Sequence, residues 1–274
     1  RGLTRTRKQL VREKAQHAQR IQKALEDANL KFASVVADVL GVSGRAILEA
    51  LIAGETDPEK LVDVAKGRLK AKRATLVESL RGRVSRHHRF LLKLHLDQVK
   101  SLDLAIATVD QEVGSVLDPF RGQAELLTTI PGVGDTVAQV IISEIGVDMS
   151  RFPSAGHLLS WAGLCPRNDE SAGKRRSTRL RMGAPWLKTI LVQAAWSATR
   201  AKGTYLQSQF YRLRARRGPG KAIIAVAASI LKATYYMLRD GVEYVDLGPR
   251  HFDRLDKTKT IKRLVNKLTE LGYA

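Results

Sequence analysis

Cysteine and long apolar runs are both scarce in this chain of 274 residues. The single cysteine, Cys165, excludes internal disulfides and cysteine-based zinc clusters, as expected of a protein in a reducing compartment. The longest apolar run, residues 222–231, is about half as long as a bilayer span requires. The first residues also lack the pattern of a signal peptide. These absences predict a soluble, cytoplasmic protein that does not associate with membranes.

Acidic residues are few relative to basic ones. The chain has 47 Lys and Arg against 27 Asp and Glu, which gives a formal net charge of +20 and a pI near 10.4. A positive charge of this size exceeds what solubility needs, and the usual partner of so basic a protein is a polyphosphate. Nucleic acid is therefore the expected partner, and a ribosome-like or merely basic protein is the alternative.

The sequence predicts an all-α fold. Residues 4–29 and 59–118 are rich in helix formers, glycines and prolines fall between helical segments, and alternating apolar runs are rare. We expect a helical coiled-coil or linker region over residues 1–122. A compact helical domain follows over residues 123–274.

One helical seam is sharply periodic. Its members step by three and four: Val99, Leu102, Ile106, Val109, Val113 and Val116. Such a seam needs a partner helix, either the first helix of this chain or another protomer, and it suggests a dimer or a tetramer. His95 lies on the seam, but no acidic residue at ligand spacing accompanies it, so we assign no metal site and expect a packing role.

The segment from Pro131 to Gly134 predicts a tight turn between two helices, as in a helix-hairpin-helix unit. Gly132 and Gly134 would let the backbone approach a phosphate, and the amides of the next helix would receive its charge. Such a contact would not read base sequence. The alternative is an ordinary helix-helix turn with a glycine-rich cap.

A second candidate is the stretch from Trp161 to Ser177, which we expect to be a loop. It contains a hydroxyl, Ser171, in a glycine-containing and strongly cationic setting. Its cations, together with two that follow it directly, repel one another unless phosphates lie between them. They are Arg167, Lys174, Arg175, Arg176, Arg179 and Arg181.

A third basic cluster follows three aromatic residues, Tyr205, Phe210 and Tyr211. Aromatic and cationic side chains together suit stacking on bases or gripping a backbone. An amphipathic helix with inward aromatics and solvated arginines fits equally well. The candidate ligands here are Arg212, Arg216 and Arg217.

Several motifs resemble one known family. They are Ile130-Pro-Gly-Val-Gly, Glu144-Ile-Gly, Phe152-Pro-Ser, Ser160-Trp-Ala-Gly-Leu and Glu170-Ser-Ala-Gly-Lys. Together they resemble the C-terminal transposase domain of the insertion-sequence "one-ten" family, bacterial and archaeal transposases understood as recombinases guided by a bridge RNA. Similarity upstream, over residues 39–54 and 87–92, extends the resemblance to nearly the whole chain.

The resemblance implies a larger protein. Family members combine an N-terminal RuvC-like domain, whose DEDD carboxylates bind Mg²⁺, with a coiled-coil region and a C-terminal serine domain. This chain matches only the last two parts, and its start at Arg1 resembles the region after the RuvC-like domain. We therefore expect Mg²⁺ in that other domain, assign no residue here to metal, and expect the fragment alone to be inactive.

The resemblance also implies the chemistry. Ser171 matches the family's nucleophile, and Ser177 is the nearest competing hydroxyl. Lys174, Arg175 and Arg176 would bind the scissile phosphate. The implied function is a DNA transposase or recombinase that uses DNA and a bridge RNA. A helix-hairpin-helix protein that binds nucleic acid without chemistry is the alternative, and the Ser171 segment distinguishes the two.

Overall fold

The computed structural model describes residues 1–66, 73–167, 169–177, 179–255 and 257–273. The all-α prediction is confirmed over these residues, with one two-stranded β-hairpin as the exception. The chain divides into two compact units: residues 2–113, and residues 114–274 together with Arg1. Each unit has a separate apolar core. The predicted boundary at residue 122 stays a prediction.

The amino-terminal unit consists of helices and short connections. Its helices are α1 (Gly2–Asp27), α2 (Phe32–Val35), α3 (Val42–Ala53), α4 (Pro58–Asp63), α5 (Arg73–Ser79) and α6 (Arg86–Leu117), the last of which continues into the second unit. The helical pattern predicted from residue 59 to residue 118, with weak points at Gly67 and Gly82, is divided among α4, α5 and α6 in the described residues. One break has a clear cause: at Gly82 the chain passes so close to Ala28 that a side chain would collide with its carbonyl oxygen, and the Arg83 amide donates to that oxygen at 2.9 Å.

Helices α1 and α6 run antiparallel. Arg7 pairs with Asp110, and Lys14 lies 2.5 Å from Asp103. Further along, His17 meets His95, with their Nδ1 atoms 3.3 Å apart. Val99 of the seam accordingly lies in the same apolar core as Ile21 and Leu25 of α1, whereas Val116 is exposed. The coiled-coil geometry of the seam and the oligomer it suggested stay predictions.

The second unit contains the candidate site. Its helices are α7 (Arg121–Thr128), α8 (Asp135–Ile145), α9 (Ala155–Trp161), α10 (Pro185–Ala198), α11 (Tyr205–Arg217), α12 (Pro219–Asp240), α13 (His251–Leu255) and α14 (Lys257–Glu270). Short 3-10 turns lie at Asp118–Phe120 and Met149–Arg151. The hairpin, β1 (Asp169–Ser171) and β2 (Lys174–Ser177), separates α9 from α10.

Helix α12 is the centre of this unit. Its buried face includes Ile223, Val226, Ile230 and Leu231, against which α9, α10 and α11 pack. Within the described residues it is the one helix long and apolar enough to cross a membrane, but half of its apolar window is buried in the unit. A core helix meets the same criteria of length and composition.

Candidate active site and nucleic-acid interface

Ser171 lies on a β-hairpin, so the predicted loop is wrong. Strands β1 and β2 are antiparallel, with Ser171 directly opposite Lys174. Ala172 and Gly173 form the two-residue turn between them, and both have positive φ, 50° and 71°. Positive φ at both central residues is typical of the type I′ turn, whose twist matches that of the two strands. Gly173 adopts this conformation freely, whereas Ala172 is strained there.

The pairing extends beyond the two strands. Pro166 faces Leu180 in an antiparallel bridge, and the amide of Arg167 donates to the carbonyl of Arg179 at 2.8 Å. The pairing of Asp169 with Ser177 keeps the same register. We call the whole paired segment, residues 163–183, the ribbon.

Two glycines fix the root of the ribbon. A Cβ on Gly163 would lie 2.8 Å from the carbonyl oxygen of Arg181, and a Cβ on Gly183 would lie 2.5 Å from the carbonyl carbon of Ala162. Only glycine lets the two chain segments approach this closely. The ribbon therefore leaves the helical unit from a fixed position.

The register of the ribbon places its cations on one face. Residues directly opposite in an antiparallel pair share a face, and residues two apart along a strand share it too. Arg167, Arg179 and Arg181 thus lie on the same face, and all three side chains are exposed. Pro166 and Leu180 lie on the other face, where they line a cavity against α11 and α12.

A bulge brings Lys174 to the cationic face. Glu170 pairs with Arg175, so the register shifts after Asp169 and leaves Arg176 as an extra residue on β2. Bulges of this kind re-aim the side chains beyond them. As a result Ser171 and its opposite residue Lys174, both exposed, share the face of the ribbon arginines. The side chains of Arg175 and Arg176 lie outside what the structure describes.

The two candidate nucleophiles differ in their surroundings. Ser171 is exposed at the end of β1, beside the turn. Ser177 is half-buried, and its Oγ accepts a hydrogen bond from the Arg179 amide at 3.2 Å. Local bonds of this type hold a backbone turn. Ser177 thus has a structural role, while Ser171 is exposed and lies opposite Lys174.

The turn between α7 and α8 has the predicted helix, turn, helix order. Gly132 has a φ of 86°, and a Cβ there would lie 2.5 Å from the amide nitrogen of Ala198. Close packing against α10 therefore accounts for this glycine. Gly134 is exposed with open space around it, at the N-cap of α8. Its contact with phosphate, and the helix-hairpin-helix assignment, stay predictions.

The aromatic residues before the third basic cluster pack within the unit. Phe210 is buried, and Tyr205 stacks on Phe252 with ring centroids 5.1 Å apart. The guanidinium of Arg212 lies 4.6 Å from the centre of the same Phe252 ring, so Arg212 holds the tail of the unit against α11. Tyr211 is exposed. The structure does not bring Arg212 to the ribbon.

Arg216 and Arg217 are both exposed in the last turn of α11. Cations there interact favourably with the helix dipole, which is a structural role. Arg217 also lines the cavity beneath Pro166 and Leu180. The structure thus brings Arg217, but not Arg212, next to the ribbon.

No group of three or more His, Cys, Asp or Glu side chains converges among the residues that the structure describes. These residues do not fit a Mg²⁺ site, since hard cations need several oxygen ligands. We therefore derive no step through a metal held by this chain.

One signal in the sequence was missed. The segment from Ser171 to Arg239 contains 15 Lys and Arg and no Asp or Glu. It includes β2, α10, α11 and nearly all of α12. Apart from Arg239, which pairs with Asp240 at 2.6 Å, the cations inside this segment are separated from acidic residues along the chain, which favours an anionic partner.

Comparison with known proteins points to the same region. Residues 124–212, from α7 to α11, match the model of the Transposase IS116/IS110/IS902 family. The insertion element IS110 43.6 kDa protein of Streptomyces coelicolor is 32% identical over 45% of this chain and 31% of its own length. The pilin gene-inverting protein of Moraxella bovis is 28% identical over 52% of this chain and 46% of its own.

A further relative is the insertion element IS900 42 kDa protein of Mycobacterium paratuberculosis, 30% identical over 54% of this chain and 37% of its own length. The chain thus spans less than half the length of each of these relatives. The matched segment includes the ribbon, Ser171 and the α7–α8 turn. Residues 124–212 are thus similar to the transposase domain of the IS116/IS110/IS902 family.

Proposed function

We propose that this chain is the part of a DNA recombinase in which Ser171 attacks a phosphodiester and forms a covalent protein-DNA intermediate. The arrangement of the ribbon carries this proposal: an exposed serine beside a turn, opposite Lys174, on the face that presents three exposed arginines. The position of the ribbon inside the matched transposase domain supports it.

The proposed step exchanges one ester for another. The Ser171 oxygen forms a bond to phosphorus, and one sugar oxygen leaves. The serine proton passes to a base, and the departing sugar oxygen gains a proton. The number of phosphoester bonds is unchanged, so the energy of the broken bond is kept in the serine-DNA link and can drive strand rejoining.

The cations of the ribbon would have two roles. Lys174 is opposite Ser171, so its ammonium can approach the attacked phosphate and stabilise the charge that builds on it. Arg167 and Arg179 begin about 13 Å further along the ribbon, at roughly 3.3 Å per residue over four residues. They would bind neighbouring phosphates and fix the register of the strand.

Other parts of the machinery would come from outside these residues. An unassisted alcohol is a weak nucleophile near neutral pH, and the family resemblance implies a RuvC-like domain that holds Mg²⁺ and would supply Lewis acidity when it is bound. It also implies guidance by a bridge RNA. Recombination of two duplexes further suggests a dimer or tetramer in the bacterial or archaeal cytoplasm.

The test is trapping of the covalent intermediate. The full-length protein is incubated with its RNA and a suicide DNA substrate, and a denaturation-resistant protein-DNA adduct is measured. We expect Ser171→Ala to abolish the adduct and Ser177→Ala to retain it. An adduct formed by Ser171→Ala would show that another residue is the nucleophile.

A binding module without chemistry is the second candidate. Gly134, Asp135 and Thr136 are exposed at the start of α8, where backbone amides can receive a phosphate. If the wild-type protein bound nucleic acid tightly but formed no adduct with any substrate, this second function would replace the first.

A further inference from the structure

The second face of the ribbon covers a cavity of about 420 Å³. Pro166 and Leu180 form one wall, and Leu213 of α11 with Ile224 of α12 form the opposite one. Cavities of this size are typical of small-molecule sites, which are mostly apolar with a few convergent polar groups. The cavity opens beside the surface that we propose binds DNA.

The rim of this cavity is positively charged. Arg217 and Lys221 are both exposed and both line it, whereas no acidic residue does among the side chains that the structure describes. Gly220 also lines it, in the first turn of the 22-residue helix α12, whose N-cap, Gly218, makes no side-chain capping bond. The unpaired amides and the dipole at this end add positive potential. A ligand with an apolar body and an anionic group would suit the apolar cavity and its positively charged rim.

An unpaired nucleotide has this combination. Its base is a flat body with apolar faces, and its phosphate is an anion attached within the same residue. We propose that the cavity receives the base of one unpaired nucleotide of the DNA strand on the ribbon, with Arg217 and Lys221 on its phosphate. The inference rests on the proposed function, because it assigns the cavity to the same DNA.

The geometry of the ribbon favours a nucleotide over an unrelated ligand. One face presents Arg167, Arg179 and Arg181 to a backbone, and the other face roofs the cavity, so a strand passing the ribbon edge meets both. Removing a base from a duplex costs a few kcal/mol, and the cost is smallest for single-stranded or distorted DNA. The cavity would therefore favour strands that are already unpaired.

The test compares an eight-residue oligothymidylate with an abasic oligonucleotide of the same length and charge, by fluorescence anisotropy. Burial of one base is worth about tenfold in affinity. We expect the wild-type chain to bind the thymidylate about tenfold more tightly. Ala225→Phe, which fills the cavity, should reduce this ratio to within about twofold while abasic binding persists.

One further variant serves as a control, and another is a second cavity variant. Ala215→Phe adds the same side chain at an exposed position of α11 outside the cavity, and it should keep the tenfold ratio. Leu180→Asn makes the ribbon side of the cavity polar without changing the helical core. It should also reduce the ratio of thymidylate to abasic affinity, and it tests the cavity even if Ala225→Phe fails to fold. Circular dichroism monitors folding.

Three outcomes would overturn the inference. The first is that the wild type does not prefer oligothymidylate to the abasic strand, and the second is that both cavity variants keep this preference. The third is that ribose oligouridylate is preferred to the abasic strand but oligothymidylate is not. The adduct assay measures covalent attachment to DNA, which is separate from the preference for a base. A normal adduct with no base preference would refute the cavity alone, and a base preference without any adduct would refute only the catalytic proposal.

Discussion

The two units use their positive charge in different ways. Residues 2–113 contain 21 basic and 14 acidic residues, and many cations there form ion pairs. Lys14 and Arg45 share Asp103, and Arg73 lies between Glu59 and Asp63. By contrast, the second unit has an acid-free segment from residue 171 to residue 239. Net charge alone therefore does not show where basic residues lack acidic neighbours; the distribution of acids along the chain does.

The pairs of the first unit also perturb its carboxylates. Burial raises the pKa of Asp103, but the hydrogen bonds from Lys14 and Arg45 outweigh that effect and hold the pKa below its ordinary value. A lowered pKa in the folded state means that the carboxylate stabilises the fold above its unfolded pKa. That contribution is lost as the pH falls through the folded value.

The largest expected effect tests whether the two cores are independent. Gly132→Ala should destabilise the second unit by about 4 kcal/mol, because a Cβ would collide with the backbone of α10 and the φ of 86° is strained for alanine. Calorimetry should show that only one unfolding transition moves. Gly134→Ala, in open space, is the matched control, and an equal shift in both variants would contradict the packing role.

Removing the cations of the ribbon face should affect binding rather than stability. Changing Arg167, Arg179 and Arg181 together to Gln should lower the affinity for duplex DNA about 100-fold at 0.1 M salt. It should also reduce the slope of log affinity against log salt concentration by about 3 in magnitude. The measurement is a salt titration of anisotropy.

A control removes the same charge from the first unit, through Arg73→Gln, Lys93→Gln and Lys100→Gln, whose side chains pair with acids. We expect less than a threefold loss of DNA affinity. Equal losses in both triple variants would mean that overall charge, not the ribbon, binds the DNA.

Asp103→Asn should reduce the stability of the first unit without reducing DNA affinity. Losing two ion pairs that are about one-third exposed should cost the first unit about 1 to 2 kcal/mol in urea unfolding, with DNA affinity unchanged. Glu78→Gln, at a more exposed pair with Arg81, should cost less than about 0.5 kcal/mol. A drop in DNA affinity for Asp103→Asn would break the division between the units.

The smallest effect concerns pH. Burial, the charge of His17 and the charge of Arg20 together lower the pKa of His95. The unfolded chain then binds a proton more readily than the folded chain, so stability should fall as the pH drops through the ordinary histidine range near 6.5. The melting temperature of the first unit should decrease from pH 7.5 to pH 5.5, and His95→Gln should flatten that dependence.

Sequence reasoning located the helices better than the site. Regular apolar spacing predicted the long helix α6, and residues with high helix propensity predicted α1. The ribbon was missed because its strands are short and charged, and because Ala172 adopts a positive φ that alanine does not signal. The packing of Gly132 on α10 and the crossing of Gly163 with Gly183 depend on chain segments distant in sequence. No local pattern reports them.

The glycine crossing at the root of the ribbon has a consequence for the history of this domain. Since Gly163 and Gly183 fix where the ribbon begins and ends, residues between them can change in length or charge without repacking the helices. If the ribbon binds DNA as we propose, such an arrangement would let the domain acquire new DNA targets by substitution in the ribbon alone. Grafting residues 164–182 between relatives would then be a way to alter the DNA that is bound.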